Sequence, residues 1–345
     1  MRAFLVTPGY EEALVAELMT SAPTLKTRGR RPGVVVCEGV DDALVLDPVW
    51  ARQQLPGATL IRGGSAKLLA EAAFTAIEGT LDASEKPLLA QVVTPGAGDD
   101  ENLLSRAELV GEQLAELLKQ RRRRAFRRFT TPETVVTPSD AVVLQLCLTD
   151  REEGLISAAS PRLLPFGGFD ISLWPAGMAE VKDDPDAPSR AYKKLEEAYC
   201  WMGAEPKNGD RCVDLGGSPG GWSWTALVRG AFVTSVDRAP LAPPASGHPK
   251  LNEIRGNAFT WEPVSAVDWL VCDVICEPQK TVALIDRWLT KKLCRNLVAT
   301  VKFKGHEGYG ELAALKPIFE RVGVTLARVK HLVHNKNEVE VMVRS

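Results

Sequence analysis

A glycine-rich turn constrains this chain more than any other stretch. It lies within Arg211-Cys-Val-Asp-Leu-Gly-Gly-Ser-Pro-Gly-Gly-Trp-Ser-Trp-Thr225. The apolar run Cys212 to Leu215 predicts a buried parallel strand, and a helix can begin near Gly220 and Gly221. A strand, a glycine turn and a helix in this order bring backbone N–H groups close to a nucleotide-like ligand. Asp237 ends the next apolar run, about 20 residues later, where an acid commonly binds ribose hydroxyls.

The residues of the turn indicate which ligand it takes. The spacing is not the dinucleotide pattern G-x-G-x-x-G, Asp214 stands directly before the turn, and Pro219 stiffens it. A carboxylate at the mouth would repel a pyrophosphate but suits a cofactor with a cationic centre. S-adenosylmethionine has a sulfonium and an amino group and no phosphate, so we expect this cofactor. A turn that serves only packing is the alternative.

We assign cofactor contacts to the turn, the residues beside it and the carboxylate of a later strand. The predicted cofactor residues are Asp214, Gly216, Gly217, Ser218, Pro219, Gly220, Gly221, Trp222, Asp237 and Asp273. Trp222 and Trp224 are helix residues of a kind that often packs in a core instead.

Composition bounds the class of protein. The 345 residues are enough for two domains, and a net charge of −2 predicts that any RNA-binding surface is a local patch. The seven cysteines form no C-x-x-C pair and only four histidines are present, so we expect free thiols in a reducing compartment and no metal site. With no apolar run of membrane length and no signal peptide, we expect a cytoplasmic protein without a membrane partner. No obligate protein partner is evident.

The pattern of apolar runs predicts four segments. Residues 1–45 form a small α/β subdomain, 46–165 an α+β unit, 166–188 a linker rich in proline and glycine, and 189–345 the domain that carries the glycine turn.

In the last segment, strands and helices alternate, with one helix predicted from Pro278 to Cys294 and another from Gly310 to Val322. The final two extended runs, Thr325 to Leu332 and Val339 to Val343, are too close for a parallel crossover and must form an antiparallel hairpin. A parallel sheet finished by a reversed strand predicts the Rossmann-like α/β fold of S-adenosylmethionine-dependent methyltransferases.

A basic segment, Lys119 to Arg128, places seven cations and Phe126 within ten residues. Because adjacent like charges repel, they contribute little to the local fold unless phosphates neutralise them. We therefore predict RNA contacts from Arg121, Arg122, Arg123, Arg124, Arg127 and Arg128. The alternative is a solvated helix end, where one or two cations complement the helix dipole. Lys304, in a glycine-containing loop, is a further candidate for a phosphate contact, with plain solvent exposure as its alternative.

Four ionisable residues are predicted to meet at the ligand-binding edge of the sheet: Lys194, Asp273, Lys302 and Glu338, here called the tetrad. Asp273 and Lys302 end parallel strands, and ligands bind outside the carboxyl ends of such strands. Glu338 opens the reversed strand, and Lys194 lies in the preceding helix. Methyl transfer to a hydroxyl benefits from a base, and a lysine serves as one when burial and a second lysine lower its pKa. Any of the four alone could instead form a structural salt bridge.

Several motifs resemble, in order, those of the FtsJ-type RNA ribose 2′-O-methyltransferases. They are Ser189-Arg-Ala-Tyr-Lys-Lys-Leu-Glu-Glu197, Asp214-Leu-Gly-Gly-Ser-Pro-Gly-Gly-Trp222, Asp273, Val301-Lys302 and Asn337-Glu338. The resemblance implies that the tetrad is catalytic, with Lys302 activating the ribose hydroxyl, and that Asn257 lies toward the adenine. Motifs before Lys194 and around Glu338 resemble members that methylate a cytidine ribose of 23S large-subunit ribosomal RNA.

The N-terminal half resembles the family more loosely. Pro8-Gly9-Tyr10-Glu11 and Trp50-Ala-Arg-Gln53 are similar to its ferredoxin-like and THUMP region. This resemblance implies that residues 1–45 are ferredoxin-like, that residues 46–165 are a THUMP domain, and that this half binds RNA.

Two other classes of function compete with this interpretation. One is a catalytically inactive RNA-binding or ribosome-assembly factor that retains the fold as a scaffold, against which the intact tetrad argues. The other is a nicotinamide-dependent oxidoreductase, which Pro219, Asp214 and the terminal hairpin disfavour.

Overall fold

A computed structural model describes residues 1–39, 44–96 and 100–345. The chain divides into two units, one comprising residues 1–165 and 169–178 and the other residues 166–168 and 179–345. Within these described ranges, no helix is both long enough and apolar enough to cross a bilayer.

The N-terminal unit contains two sheets and three long helices. Its elements are β1 (Arg2–Val6), α1 (Glu11–Ser21), β2 (Lys26–Arg31), β3 (Val34–Glu38), β4 (Ala51–Pro56), β5 (Thr59–Arg62), α2 (Ala66–Asp82), β6 (Leu88–Val93), α3 (Glu101–Arg121), α4 (Arg123–Phe126), β7 (Phe129–Thr130), β8 (Val142–Leu148) and β9 (Glu153–Ala159). The first sheet has the order β2-β3-β1-β4 and the second β5-β9-β8-β6-β7. Helices α2 and α3 pack their apolar faces, including Leu69, Phe74 and Leu114, on the second sheet.

The predicted boundary at residue 45 is wrong, because it cuts the first sheet. Strand β4 (Ala51–Pro56) pairs antiparallel with β1 along its length. The boundary after residue 165 also differs, since residues 169–178 return to the N-terminal unit. Within this unit, Gln53 donates to the Ser172 carbonyl at 2.9 Å and accepts the Ser172 N–H at 2.9 Å. These buried hydrogen bonds explain why the predicted linker is not a free connection.

The C-terminal unit is built around one seven-stranded sheet. Its elements are α5 (Tyr192–Met202), β10 (Arg211–Leu215), α6 (Gly221–Val228), β11 (Phe232–Asp237), β12 (Leu251–Arg255), β13 (Val267–Cys272), α7 (Pro278–Thr290), β14 (Cys294–Lys302), α8 (Leu315–Val322), β15 (Leu326–Lys330) and β16 (Glu338–Arg344). The order is β12-β11-β10-β13-β14-β16-β15, with β16 antiparallel to both of its neighbours. The predicted Rossmann-like methyltransferase fold with a reversed terminal strand is confirmed.

Two predicted helices have different bounds. Helix α7 ends at Thr290, and Cys294 opens β14 instead of closing the helix. Lys292, in the turn between them, has φ 52°, a conformation that glycine usually adopts. Because a lysine and not a glycine occupies this position, the sequence does not mark the end of the helix. The second predicted helix begins with a 3₁₀ segment, Tyr309–Ala314, before α8.

The sheet brings distant residues to one edge. In the parallel pairing of β10 with β13, Leu215 lies opposite Cys272, so the glycine turn and Asp273 follow neighbouring strand ends. In the antiparallel pairing of β14 with β16, Lys302 lies opposite Glu338. The carboxyl ends of the parallel strands therefore meet the start of the reversed strand, as ligand sites of this fold require.

Candidate active site

The glycine turn is close-packed against the sheet beneath it. Gly216 has φ 80°, and a Cβ there would lie 2.5 Å from a methyl carbon of Val274. A Cβ on Gly217 would lie 2.2 Å from Ser235 Oγ and 2.8 Å from an oxygen of Asp214. At Gly216, moreover, the left-handed backbone conformation disfavours any side chain. The turn therefore presents bare backbone to the space above it.

Above the turn lies a cleft of about 370 Å³, within the size range of small-molecule sites. Most of the predicted cofactor residues line it: Gly216, Gly217, Ser218, Pro219, Gly221, Trp222, Asp237 and Asp273, together with Lys302. Its charged lining consists of two carboxylates and one ammonium, which suits a ligand with a cationic centre better than a polyphosphate. The Ser189 hydroxyl, which also lines the cleft, is buried without a hydrogen-bond partner in the described structure and is available to a ligand.

The prediction that Asp214 stands at the mouth of the turn is wrong, because the residue is fully buried beneath it. One carboxylate oxygen accepts a hydrogen bond from the Ser223 hydroxyl at 2.6 Å, and the other has no partner in the described structure. Burial raises the pKa of Asp214 to about 7, although the Ser223 hydrogen bond opposes this and Asp273 and Asp237 add to it. Asp214 thus supports the turn from below.

Asp237 and Asn257 already hold backbone groups. The Asp237 carboxylate accepts the N–H of Ser218 at 3.0 Å and that of Ala239 at 2.9 Å, which fixes the turn while Asp237 still lines the cleft. Asn257 accepts the Phe259 N–H at 3.0 Å and lies outside the residues that line the cleft. Gly220, at φ 117°, also belongs to the turn without lining the cleft. The roles of Asp237 toward ribose and Asn257 toward adenine stay predictions.

The structure brings all four members of the tetrad together around one carboxylate. Lys194 Nζ lies 3.0 Å from both oxygens of Asp273 and 3.0 Å from Glu338 Oε1. Lys302 Nζ lies 2.9 Å from Asp273 Oδ1 and donates to the Asp273 carbonyl at 3.0 Å. The two ammonium groups therefore share one acceptor oxygen, the close approach that the sequence predicts.

The two lysines have different surroundings. The side chain of Lys194 is 8% exposed and lies behind Asp273, whereas that of Lys302 is 21% exposed and lines the cleft. Burial alone would lower the pKa of Lys194, but the carboxylates of Glu340, Asp273 and Glu338 outweigh it and raise that pKa. Lys194 is thus a fixed cation, and Lys302 is the amine that can reach a ligand.

Helix α5 and the loop after β15 hold Lys194 in place. Glu197, one turn further along α5, is fully buried and accepts the backbone N–H groups of Val333 and His334 at 3.1 and 3.2 Å. The indole of Trp222 donates to the Ala191 carbonyl at 2.9 Å, and its ring lies 5.7 Å from Lys194 Nζ. Trp222 is both a core residue and part of the cleft wall, and its contact with a cofactor stays a prediction.

Lys304 lies on an exposed loop that Asn337 ties to the start of β16. The Asn337 amide donates to the Phe303 carbonyl at 3.2 Å and accepts the Tyr309 hydroxyl at 2.9 Å. This loop follows Lys302 directly, and the Lys304 side chain is exposed. Its predicted phosphate contact stays a prediction.

The basic segment of the N-terminal unit is only partly free to bind a partner. Arg121 forms two hydrogen bonds of 2.7 Å with Glu71, and Arg122 pairs with Glu78 at 2.8 Å and Asp82 at 3.3 Å. Arg128 donates to the carbonyls of Ser84 and Leu81.

The other three arginines of the segment differ from these. The side chains of Arg123, Arg124 and Arg127 are exposed, and in the described part of the chain no ion pair engages them. Because their charges stay unneutralised within the protein, these three carry the RNA prediction. The prediction is weaker for Arg121, Arg122 and Arg128, whose charges or donors the fold already uses.

Sequence reasoning missed two groups of site residues. Ser189, Ala191, Val274 and Ile275 line the cleft. The last two directly follow Asp273, so their position after a strand end could have indicated them. Glu340 lies two residues beyond Glu338 on β16 and is fully buried. The two-residue period of a strand could have found it, since both side chains must share a face.

Part of the C-terminal unit matches a known protein family. Residues 187–323 match the family described as FtsJ-like methyltransferase. The ribosomal RNA large subunit methyltransferase M of Pseudomonas putida strain GB-1 is 36% identical over 188 residues, which cover 50% of this chain and 52% of the relative. The protein of the same name from Xanthomonas oryzae pv. oryzae strain PXO99A is 30% identical over 207 residues, covering 58% of each.

A solved structure of magnesium protoporphyrin IX methyltransferase from Synechocystis PCC 6803 with bound SAM is 14% identical, with a TM-score of 0.33, over 45% of this chain and 80% of that chain. The chain spans about half the length of the curated relatives it matches. The family match lies in the unit that carries the tetrad and the glycine turn, and it confirms the resemblance to the FtsJ type. Within the C-terminal unit, residues 187–323 of this chain are therefore similar to the FtsJ-like methyltransferases.

Proposed function

We propose that this protein transfers a methyl group from S-adenosylmethionine to a ribose 2′-hydroxyl of 23S large-subunit ribosomal RNA, with a cytidine as the target nucleotide. The observation that carries the proposal is the convergence of both tetrad lysines on Asp273 at the edge of the cleft. The name shared by the relatives from Pseudomonas and Xanthomonas supports large-subunit ribosomal RNA as the substrate.

The residues around the cleft fit S-adenosylmethionine. The close-packed glycine turn leaves room for a flat ligand, and the unpartnered Ser189 hydroxyl offers it a hydrogen bond. Asp237 lines the cleft, which supports a contact with the ribose hydroxyls, and the net negative lining complements a positive sulfur. When bound, this cofactor supplies a methyl group on a sulfonium, and its sulfur keeps the electron pair of the broken bond.

Lys302 is the residue that acts on the ribose. Its Nζ lines the cleft, where it would accept the proton of the ribose hydroxyl. Asp273 fixes the position of this nitrogen through its carboxylate at 2.9 Å and its carbonyl at 3.0 Å. Lys194 holds Asp273 from behind and is itself paired with Glu338, which keeps the geometry rigid. Proton transfer contributes about 10²–10⁴-fold to such a rate, and alignment of the two reactants contributes more.

The N-terminal unit is proposed to bind the RNA. The exposed side chains of Arg123, Arg124 and Arg127 support this role, because phosphates are the natural partners of unneutralised adjacent cations. Its assignment as a ferredoxin-like and THUMP region rests on the resemblance of its motifs.

A transfer assay with product analysis tests the proposal. The purified protein is incubated with methyl-labelled S-adenosylmethionine and with 23S RNA from cells that lack the protein, and the RNA is digested to nucleosides. We expect label in 2′-O-methylcytidine with the unaltered protein and with Lys316→Met, a control on the exposed face of α8. Lys302→Met should give none. Label on a base, or none from the unaltered protein, would contradict the proposal.

Calorimetry separates the enzyme from an inactive scaffold. An RNA-binding factor that merely retains the fold has no reason to bind S-adenosylmethionine tightly. We expect micromolar or tighter binding to the unaltered protein and to Lys302→Met, because the glycine turn is untouched. A chain that binds RNA but not this cofactor would be a scaffold.

A further inference from the structure

A fifth ionisable residue, Glu340, lies directly behind the tetrad. It is two residues from Glu338 on β16, so both side chains lie on the same face of the strand. Glu338 contacts Lys194 Nζ at 3.0 Å, and Glu340 lies one step deeper and is 0% exposed. Neither the motifs of the sequence nor the mechanism above uses this carboxyl group.

Hydrogen bonds fix the Glu340 side chain in one orientation. Both of its carboxylate oxygens accept from the Thr300 hydroxyl at 3.0 Å, and Oε1 also accepts from the Asn335 amide at 3.0 Å. These donors are neutral, so they orient the carboxylate without cancelling its charge. A buried carboxylate of this kind is costly unless a cation lies near, and Lys194 is the cation that acts on it.

The charges around Glu340 balance only when Glu340 is ionised. Beside Lys194 and Lys302, the ammonium of Lys330 belongs to this region, because Lys330 lies opposite Glu340 in the pairing of β15 with β16. The carboxylates are Asp273, Glu338, Glu340 and the buried Glu197 of α5. Arg328 lies two residues from Lys330 on the same face of β15 and is also buried, so four cations face four carboxylates among these described residues. Without the charge of Glu340, this group would carry one excess positive charge.

We propose that Glu340 is a positioning residue that holds Lys194 protonated and places a negative charge behind the tetrad, which favours a sulfonium cofactor over its uncharged thioether product. This inference rests on the proposed function, since it names the charge by which that site discriminates its substrate from S-adenosylhomocysteine. The two compounds differ by one methyl group and one positive charge, so they form a matched pair of probes.

The ionisation of Glu340 makes the effect dependent on pH. Burial raises the pKa of Glu340 to about 7; Lys194 lowers it, while Asp273 and Glu338 raise it. Below pH 7 the group is neutral, and above pH 7 it carries the charge. A unit charge at an effective dielectric constant of about 20 and a separation of about 10 Å changes the affinity of a cation roughly tenfold. Screening reduces this, so we expect about fivefold.

The experiment compares the unaltered protein with Glu340→Gln. Glutamine keeps the shape and can still bond Thr300 and Asn335, but it has no charge. Calorimetry gives the affinities for S-adenosylmethionine and S-adenosylhomocysteine at pH 6 and pH 8. Glu320→Gln, on the exposed face of α8, is a control with the same change in net charge. Thermal unfolding shows whether the variants fold.

We expect the ratio of the two affinities to be equal in all three proteins at pH 6. At pH 8, Glu340→Gln should show a ratio about fivefold lower, whereas Glu320→Gln should match the unaltered protein. Asp214, whose pKa is also about 7, titrates in all three proteins, so its contribution cancels from the comparison. Equal ratios at pH 8, or an equal loss of affinity for both compounds, would overturn the proposal. Failure of all three proteins to bind either compound would instead refute the proposed function.

Discussion

Replacing each tetrad lysine by methionine separates its catalytic role from its structural role. In Lys302→Met, Asp273 still accepts both hydrogen bonds from Lys194, and the lost ammonium was partly exposed. The cost in the free energy of unfolding should therefore be about 1 kcal/mol or less, near the value of a solvent-screened ion pair. The rate of methyl transfer should nevertheless fall about 10²–10⁴-fold, because the proton acceptor is gone.

Lys194→Met should behave in the opposite way for stability. Its ammonium contacts Asp273 and Glu338 at 3.0 Å, and its charge lowers the pKa of the buried Glu340. Removing one partner of a buried ion pair costs about 3–5 kcal/mol, because the remaining charges are left uncompensated. For a unit of this size, such a loss lowers the melting temperature by roughly 6–20 °C.

The pH dependence of Lys194→Met provides a second check. Because Lys194 lowers the pKa of Glu340, the variant should have a Glu340 pKa above 7, and its stability deficit should shrink as the pH falls and this group is protonated. Urea unfolding at pH 5.5 and pH 8, together with initial rates of transfer, measures both effects. If Lys302→Met unfolds as easily as Lys194→Met, or keeps more than a tenth of the activity, the division of roles is wrong.

Three further predictions concern the turn, the basic segment and Asp214. Gly217→Ala should weaken S-adenosylmethionine binding at least tenfold in calorimetry. The added Cβ would lie 2.2 Å from Ser235 Oγ and 2.8 Å from an oxygen of Asp214, so either the turn or these two buried side chains beneath it must move; unchanged affinity would argue against this cleft. Replacing Arg123, Arg124 and Arg127 by alanine should reduce the slope of log affinity for 23S RNA against log salt by about 2–3 in fluorescence anisotropy, whereas Arg121→Ala, whose charge is paired with Glu71, should change it little. Because the pKa of Asp214 is raised, its contribution to stability is fully present below about pH 4 and is lost as the pH rises through 7. In urea unfolding, Asp214→Asn should therefore equal the unaltered protein at pH 4 and be more stable at pH 8, by up to about 4 kcal/mol. If the difference in stability between Asp214→Asn and the unaltered protein were the same at pH 8 and pH 4, the pKa of Asp214 would not be raised by burial.

Most of the C-terminal unit could be predicted because its signals are local. Apolar runs mark β10, β13 and β14, and the short link before β16 excludes a parallel crossover. Once the strand directions are known, the rule that ligands bind at the carboxyl edge places Asp273, Lys302 and Glu338 together. The depth of Asp214 escaped prediction, because a strand residue before a turn can point either to the cleft or into the core.

The N-terminal unit was harder to predict because its strands do not follow the usual pattern. Strand β4 carries Arg52, Gln53 and Gln54, all buried. The Gln53 and Gln54 amides donate hydrogen bonds to distant backbone, the carbonyls of Ser172 and Leu46. Hydrophobic periodicity cannot detect such a strand. Helix α2, by contrast, has a Ser65 cap and regularly spaced apolar residues, so its signal was present and was overlooked.

The arginines of the basic segment show a different limit. Their sequence indicates a dense positive charge, but pairing with Glu71, Glu78 and Asp82 depends on how α2 packs against α3. That packing is a tertiary contact between residues about 40–50 positions apart. Only the structure could show which arginines remain free for RNA.

The most direct test of the account maps ribose methylation in 23S RNA from three strains: one with the unaltered gene, one without it, and one with Lys302→Met at the same locus. We predict that one cytidine loses its 2′-O-methyl group both in the deletion and in the Lys302→Met strain. A methylation map that is identical in the unaltered and Lys302→Met strains would contradict the assignment of the tetrad as the methyl-transfer site.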